Sequence, residues 1–261
     1  MGWFRRWLWL TLVAALVPMR SDAGWQDGAV PILLYHRFGP IARDAMTVRT
    51  SVFATQLAYL RNHGYRVIPL AEVVAYVRGI GPPPPPRSVA ITADDGHRSV
   101  YTDLFPLIRK YRVPVTLFIY PSAISNASYA LTWNEIRTMH DSGLVDVQSH
   151  TYWHPNFKIE KRRLSPRQYE TFVAMQLTKS KATIERELGI QVDMLAWPYG
   201  IDDPDLIRDA QAAGYVAAFT MVRAPASRAD DAMTLPRYLV TDGDTGAAFG
   251  KLLAVASEAR K

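Results

Sequence analysis

Cysteine is missing from all 261 residues. Disulfides are therefore excluded, as are thiolate metal ligands and a lipid anchor on cysteine, so any bound metal must sit on nitrogen and oxygen. Histidine is scarce. There are six, and none follows His154, which leaves a short list for any imidazole chemistry. Uninterrupted apolar stretches of membrane-spanning length are also lacking. The run from Trp7 to Val17 stops at Pro18 and Arg20, short of the roughly 20 residues that a span requires. Dense blocks of one charge are rare too. The formal charge is +6, and the one short basic cluster, Lys158 to Arg163, reads as a solvated face. That balance gives no nucleic-acid footprint.

The first 23 residues read as a secretory signal peptide. Arg5 and Arg6 form the basic region, Trp7 to Val17 the apolar region, and Ser21-Asp22-Ala23 a small-residue cleavage site. The expected mature chain, residues 24–261, carries no membrane span and works outside the cytoplasm, in the periplasm or beyond the cell. Its charge is near +4, because Arg5, Arg6 and Arg20 against Asp22 account for a net +2. A mild positive field of this kind suits an anionic envelope or matrix.

Beyond the signal the pattern alternates. Short apolar runs at Val30–Tyr35, Arg66–Leu70, Val89–Thr92, Val113–Tyr120, Leu144–Gln148, Val192–Trp197, Tyr215–Thr220 and Leu235–Val240 predict strands. Helical spacing predicts helices over Ser51–His63, Ala71–Val77, Ser99–Tyr111, Thr132–Ser142, Pro166–Leu188, Pro204–Ala213 and Gly246–Glu258. The run Gly81-Pro-Pro-Pro-Pro-Pro86 is extended and cannot pair centrally in a sheet. It reads as a surface loop, because the segment before it is too short to bury its own core. Strand–helix alternation with short loops implies a parallel sheet with outer helices, here a distorted (β/α) barrel of about seven strands.

Such barrels carry chemistry at the carboxyl ends of their strands, and three unusual segments fall at such ends. Asp94-Asp95-Gly96 follows the Val89 run, His150-Thr-Tyr-Trp-His154 the Leu144 run, and Pro198-Tyr199-Gly200 the Val192 run. Taken alone, Asp94-Asp95-Gly96 is also an ordinary acidic turn. Two adjacent carboxylates at an inner strand end repel unless a cation compensates. His150 and His154 have a spacing that lets two imidazoles converge on one ion, although a solvent-exposed pair reads the same way. Asp95, His150 and His154 with one open position form a hydrolytic metal set, which leaves Asp94 as a general base.

These segments, Thr92-Ala93-Asp94-Asp95-Gly96, His150 to His154 and Trp197-Pro198-Tyr199-Gly200, resemble the polysaccharide deacetylases of carbohydrate esterase family 4. The resemblance runs in order from about Val30 to Val240. The opening Pro31-Ile-Leu-Leu-Tyr-His-Arg-Phe38 and the Gly64-Tyr65 segment are similar to the subgroup that acts on poly-N-acetylglucosamine exopolysaccharide. Peptidoglycan and chitin-like glycans are the other polymers implied. The resemblance implies Asp94 as base, Asp95, His150 and His154 as ligands to one divalent ion, and the Tyr199 backbone N–H as an oxyanion donor. Zinc is the expected ion, with cobalt or nickel as substitutes.

The departures are specific. Ala93 stands where the family usually has Phe, and Ala196 where it usually has an arginine that pairs with the base. Arg237 and Arg98 are the candidate replacements. The late histidine that serves the family as general acid has no counterpart here. Among the other histidines, His63 and His140 lie in predicted helices, and His97 follows the Asp-Asp-Gly turn. His36 closes the first predicted strand and is the candidate acid. Tyr152, Trp153, Trp197 and Tyr199 crowd the same loops, as core or as sugar-stacking rings. Two rival readings stay open: a metal-dependent amidohydrolase acting on a non-sugar amide, and a glycan-binding module with a decayed site.

Overall fold

A computed structural model describes residues 28–258. The expected signal peptide at residues 1–23 lies outside the described residues. No helix among the described residues is long and apolar enough to cross a membrane.

In chain order, β1 (Ile32–Tyr35) leads into the short strands β2 (Arg37–Gly39) and β3 (Thr47–Arg49), which pair with each other. Then come α1 (Thr50–Asn62), β4 (Arg66–Val67), α2 (Leu70–Val77) and β5 (Ser88–Ala93). A π-helical turn, Val100–Leu104, precedes α3 (Phe105–Tyr111). After it run β6 (Val115–Ile119), α4 (Trp133–Asp141), β7 (Val145–Ser149), α5 (Phe157–Arg163) and α6 (Pro166–Leu188). The chain closes with β8 (Met194–Ala196), α7 (Pro204–Ala212), β9 (Ala217–Phe219), β10 (Tyr238–Leu239) and α8 (Gly246–Glu258).

The main sheet is parallel throughout, in the order β10-β1-β5-β6-β7-β8-β9, with β4 beside the start of β5. The seam between its two ends is narrow. Leu235 N–H donates to Ala218 O at 2.8 Å and Thr220 N–H to Leu235 O at 2.8 Å, while Tyr238 and Leu239 pair with β1. One five-residue segment thus spans both edges and completes a distorted barrel.

Strand parity divides the core. Leu33, Val89, Ile91, Leu117, Val147, Leu195 and Ala218 face the helices. Ile32, Ala90, Phe118, Met194, Ala196, Ala217 and Phe219 form the second, inner cluster. The same parity carries Asp94 and His150 inward, because each continues its strand by one ladder bond. Asp94 N–H donates to Tyr35 O at 2.9 Å and His150 N–H to Ile119 O at 2.7 Å.

The helices form where their end signals stand. α4 begins in a capping box between Thr132 and Glu135, and α6 in one between Ser165 and Gln168, ending at Gly189 with φ 70°. The helix expected over Ser99–Tyr111 is broken. Pro106 has no N–H to donate, and the turn before it widens so that Phe105 N–H reaches Val100 O. The charged cluster at Lys158–Arg163 forms α5, which buries Phe157 and turns its ion pairs, Arg163 to Glu160 and Lys161 to Asp203, outward.

Candidate active site

At the carboxyl end of the barrel, His36, Asp94, Asp95, His150, His154 and Tyr199 line one cavity of about 320 Å³. Arg37, Met46, Tyr120, Trp197 and Met221 complete its wall. All six candidate site residues therefore meet at one place, drawn from the ends of β1, β5, β7 and β8.

The backbone at this place is strained. Asp95 (φ 74°), Thr151 (φ 64°), His154 (φ 62°) and Tyr199 (φ 57°) all lie in the left-handed region. Such strain persists only where the surroundings impose it, and it clusters at functional sites. At Asp95 it turns the carboxylate away from the direction of Asp94, and Gly96 must follow. A Cβ there would meet Ile119 Cγ2 at 3.0 Å and Ile124 Cδ1 at 3.1 Å. The loop bearing His154 is held from behind by buried Gln176 of α6. Its Oε1 accepts from Tyr152 N–H at 3.1 Å and Trp153 N–H at 3.0 Å. Thr151 Oγ1 accepts from His154 N–H at 3.2 Å.

Asp95, His150 and His154 each offer one ligand atom, all within 4.8 Å of one another. His150 Nε2 lies 3.7 Å and His154 Nε2 3.6 Å from Asp95 Oδ1. Ligands on a tetrahedral ion with bonds of about 2.1 Å stand about 3.4 Å apart, so the spacing fits. The tautomer fits as well. His150 Nδ1 meets the Ala196 carbonyl at 2.7 Å; a carbonyl only accepts, so Nδ1 carries the proton and Nε2 presents a lone pair to the cavity. Burial pushes His150 down to about 3 against the pull of Asp94, and burial likewise lowers His154. Both imidazoles are thus neutral at pH 7, as ligands must be. Burial raises Asp95 above the ordinary carboxylate value, and the charge of Asp94 adds to this against the pull of His36. A bound cation would offset both effects.

Asp94 is buried, with its Oδ2 3.7 Å from His150 Nε2. Of the two candidate partners for its charge, Arg237 takes the place. Nη1 and Nη2 donate to the two carboxylate oxygens at 2.9 and 2.8 Å, and Nε donates to Thr220 O at 3.1 Å. The guanidinium lies over Phe118 and Phe219, 5.5 and 5.9 Å from their centroids. Small Ala90, Ala196 and Ala217 in the inner cluster leave the interior open for it. Burial alone would raise Asp94, but the charge of Arg237, aided by His150 and the bidentate hydrogen bonds, holds it below the usual carboxylate range. Arg98 points elsewhere and pairs with Glu135 at 3.2 Å on the surface.

A model of the polysaccharide deacetylase family matches residues 81–218, just over half of the chain. The chain belongs to that family. Among solved structures, IcaB from Ammonifex degensii is 28% identical with a TM-score of 0.75, over 90% of this chain and 98% of that one. The poly-β-1,6-N-acetyl-D-glucosamine N-deacetylase of Escherichia coli is 24% identical over 91% of this chain but 40% of its own length. The Staphylococcus aureus enzyme of the same name is 24% identical over 75% of this chain and 68% of its own. The chain thus spans about two fifths of the length of the Escherichia coli relative. The family's distorted barrel agrees with the parallel sheet and outer helices described above, with the narrow seam at residues 235–239 as the distortion.

The remaining histidines divide cleanly. His63 caps α1 on the surface and His140 bonds Val145 O at 3.2 Å. His97 faces a neighbouring cavity and bonds Ser99 Oγ at 2.8 Å. His36 lies in the same cavity as Asp94, Asp95, His150 and His154, with its Nδ1 buried and without a hydrogen-bond partner. Burial lowers its pKa, against the pull of Asp94 and Asp95. Arg37, Tyr120 and Gln176 went unnoticed in the sequence. Arg37 follows a strand-end histidine and was open to the same argument. Gln176 offers no signal, being one glutamine on a long helix. Of the aromatic residues, Trp197 is buried and donates to Met233 O at 3.0 Å, while Trp153 and Tyr199 are exposed.

Proposed function

We propose that this protein is an exported, metal-dependent deacetylase that removes N-acetyl groups from an amino-sugar polysaccharide, a poly-N-acetylglucosamine-like exopolysaccharide first among them. The observation that carries this reading is the Asp95, His150 and His154 triad set beside an Arg237-paired Asp94 on the floor of one cavity. The relatives named as poly-β-1,6-N-acetyl-D-glucosamine N-deacetylases support the choice of polymer. The basic-apolar leader of the sequence supports export.

Asp95, His150 and His154 would hold one divalent ion, zinc by donor preference, with cobalt or nickel as substitutes. What such an ion supplies when held there is Lewis acidity toward a carbonyl oxygen and toward water. Asp94, kept anionic by Arg237, takes the proton of the attacking water. The Tyr199 N–H, turned by its left-handed φ, donates to the oxygen on which charge develops. As the carbon–nitrogen bond breaks, acetate forms and the sugar nitrogen needs a proton. His36, the one cavity imidazole outside the ligand set, is held neutral by burial and would pass to the nitrogen the proton that Asp94 has taken from water. Trp153 and Tyr199 offer exposed ring faces to the apolar side of a sugar.

The decayed-site reading drew on the missing arginine at position 196. Arg237 supplies that cation, which removes this ground; the missing late histidine was the other, and His36 is the residue proposed to stand in for it. The test is direct. The zinc-loaded chain is incubated with poly-N-acetylglucosamine, chitin oligomers and peptidoglycan, and acetate and free amines are counted. Release is expected from the first most rapidly, and none after chelation. No release from any N-acetylated glycan would sink the reading.

A further inference from the structure

The cavity that holds the metal triad has two polar side chains to which the chemistry above gives no role, Arg37 and Tyr120. Its remaining walls, Met46, Trp197 and Met221, are apolar. Tyr120 is engaged already. Its hydroxyl lies 3.0 Å from that of Tyr129, and its ring centroid 5.5 Å from that of His154.

Arg37 is held but not fully used. Its backbone N–H donates to Met46 O at 3.2 Å, and Nη1 donates to Asp44 Oδ2 at 2.8 Å. Asp44 is itself pinned through Oδ1, which accepts from Met46 N–H at 2.9 Å and from the Thr47 hydroxyl at 2.8 Å. The guanidinium is thus oriented from one side of its fork. Neither Nη2 nor Nε has a hydrogen-bond partner among the described residues, and Nε is buried. Fold stability is a poor account of this arrangement. The two side chains of the ion pair are 40% and 42% exposed, and pairs in that setting contribute little, while an unsatisfied buried donor is destabilising.

A sugar supplies what the fork lacks. Guanidinium N–H groups only donate, and every ring hydroxyl can accept. Apolar walls hold the face of a sugar without distinguishing one hydroxyl from another. A fixed donor does distinguish them, and a charged one makes the stronger bond. A hydroxyl is neutral, so the pairing with Asp44 orients the donor without cancelling the bond.

We infer that Arg37 binds substrate, its free Nη2 donating to one ring hydroxyl of the sugar unit being deacetylated, and that Asp44 is the positioning residue behind it. The inference rests on the deacetylase reading above and deepens it. An amide without a sugar ring forgoes this bond, so Arg37 makes the site selective for glycans.

The experiment uses the zinc-loaded full chain and N-acetylglucosamine tetramers in the linkage that the chain deacetylates. One tetramer is complete, and each of the others has one kind of ring hydroxyl replaced by hydrogen throughout. Acetate release gives kcat and KM, and metal content and thermal unfolding check each variant. Losing a hydrogen bond to a charged group costs about 10- to 100-fold in kcat/KM. The parent should lose about that factor on one deoxygenated tetramer. Arg37→Met should lose a similar factor on the complete tetramer and nothing further on that deoxygenated one. Asp44→Asn keeps the arginine but loosens its fork. It should lose about two- to fivefold on the complete tetramer, in KM with kcat near the parent value, and show a smaller penalty for the same missing hydroxyl. Equal parent rates on all tetramers would overturn the inference, as would the full penalty persisting in Arg37→Met or in Asp44→Asn. A zinc-loaded chain that frees no acetate from any N-acetylated glycan would instead overturn the deacetylase reading, and this inference with it.

Discussion

Replacing Arg237 with Met keeps most of its volume and removes its charge. In the native protein both carboxylate oxygens of Asp94 accept from this guanidinium, and both side chains are buried. Removing one partner of a buried pair costs about 3–5 kcal/mol, because the other charge is stranded. Protonation caps that cost. Bringing a carboxyl of ordinary pKa 3.8 to its neutral form at pH 7 takes about 4 kcal/mol, at 1.36 kcal/mol per unit. The metal-free variant should therefore be less stable than the parent by about 3–4 kcal/mol at pH 7 in urea unfolding.

The pH dependence follows with a definite sign. In the parent, the folded pKa of Asp94 is depressed, so its contribution is full above pH 3.8 and is lost as pH falls through the lower folded value. In the variant, burial is uncompensated and the folded pKa is raised. The penalty should then grow with pH above the carboxylate range, by up to about 1.4 kcal/mol per unit, until the raised value is reached. At pH 4 the variant's own penalty should have vanished, leaving only the parent's depressed-pKa contribution, so the gap should be smaller than at pH 7. Turnover should fall about 10²-fold or more, the usual cost of losing a general base, and the acid limb of the rate profile should move to higher pH. Adding Asp94→Asn to Arg237→Met should recover stability without recovering activity, a non-additive cycle. A variant as stable as the parent at pH 7, or stability losses that simply add in the double variant, would refute the argument.

Exhaustive chelation should abolish turnover, and one equivalent of zinc, cobalt or nickel should restore it; Asp95→Asn should lose metal and rate together while Asp94→Asn loses rate alone, as metal analysis after dialysis would show. His36→Ala should keep metal and fold yet slow N-acetyl hydrolysis at least about tenfold, the low side of general-acid effects, with less effect on aryl acetates, whose leaving group needs no proton. Parent-like rates on both substrates would make His36 structural. Gln176→Leu strands the N–H groups of Tyr152 and Trp153 and loosens the loop carrying His154, so metal affinity should fall about 10- to 100-fold while kcat at saturating metal stays near the parent value. Unchanged affinity by competition with a chelating dye would show that the loop holds itself.

Sequence by itself determined the class of fold and where its chemistry gathers. Period-two and period-3.6 patterns are local, so the strand at Val89, the helix over Pro166–Leu188 and its caps at Ser165 and Gly189 could be read from a few residues each. A parallel barrel then places every strand end on one face, which brings Asp94, His150 and Tyr199 together without any knowledge of distance. Elements that depend on neighbours were harder. β2 and β3 are three residues each and form only because they pair, and the Ser99 helix breaks into a π turn at a proline whose effect depends on the packing around it. Tertiary structure alone decided which cation faces Asp94. Arg98 stands four residues away in sequence and Arg237 stands 143 away, yet the distant residue is the partner, because β10 closes the barrel beside β1 and the interior beside Phe118 and Phe219 holds its guanidinium. It also decided the tautomer of His150, which depends on the Ala196 carbonyl of a strand 46 residues away. Such assignments rest on direction and distance between segments that the chain brings together only on folding.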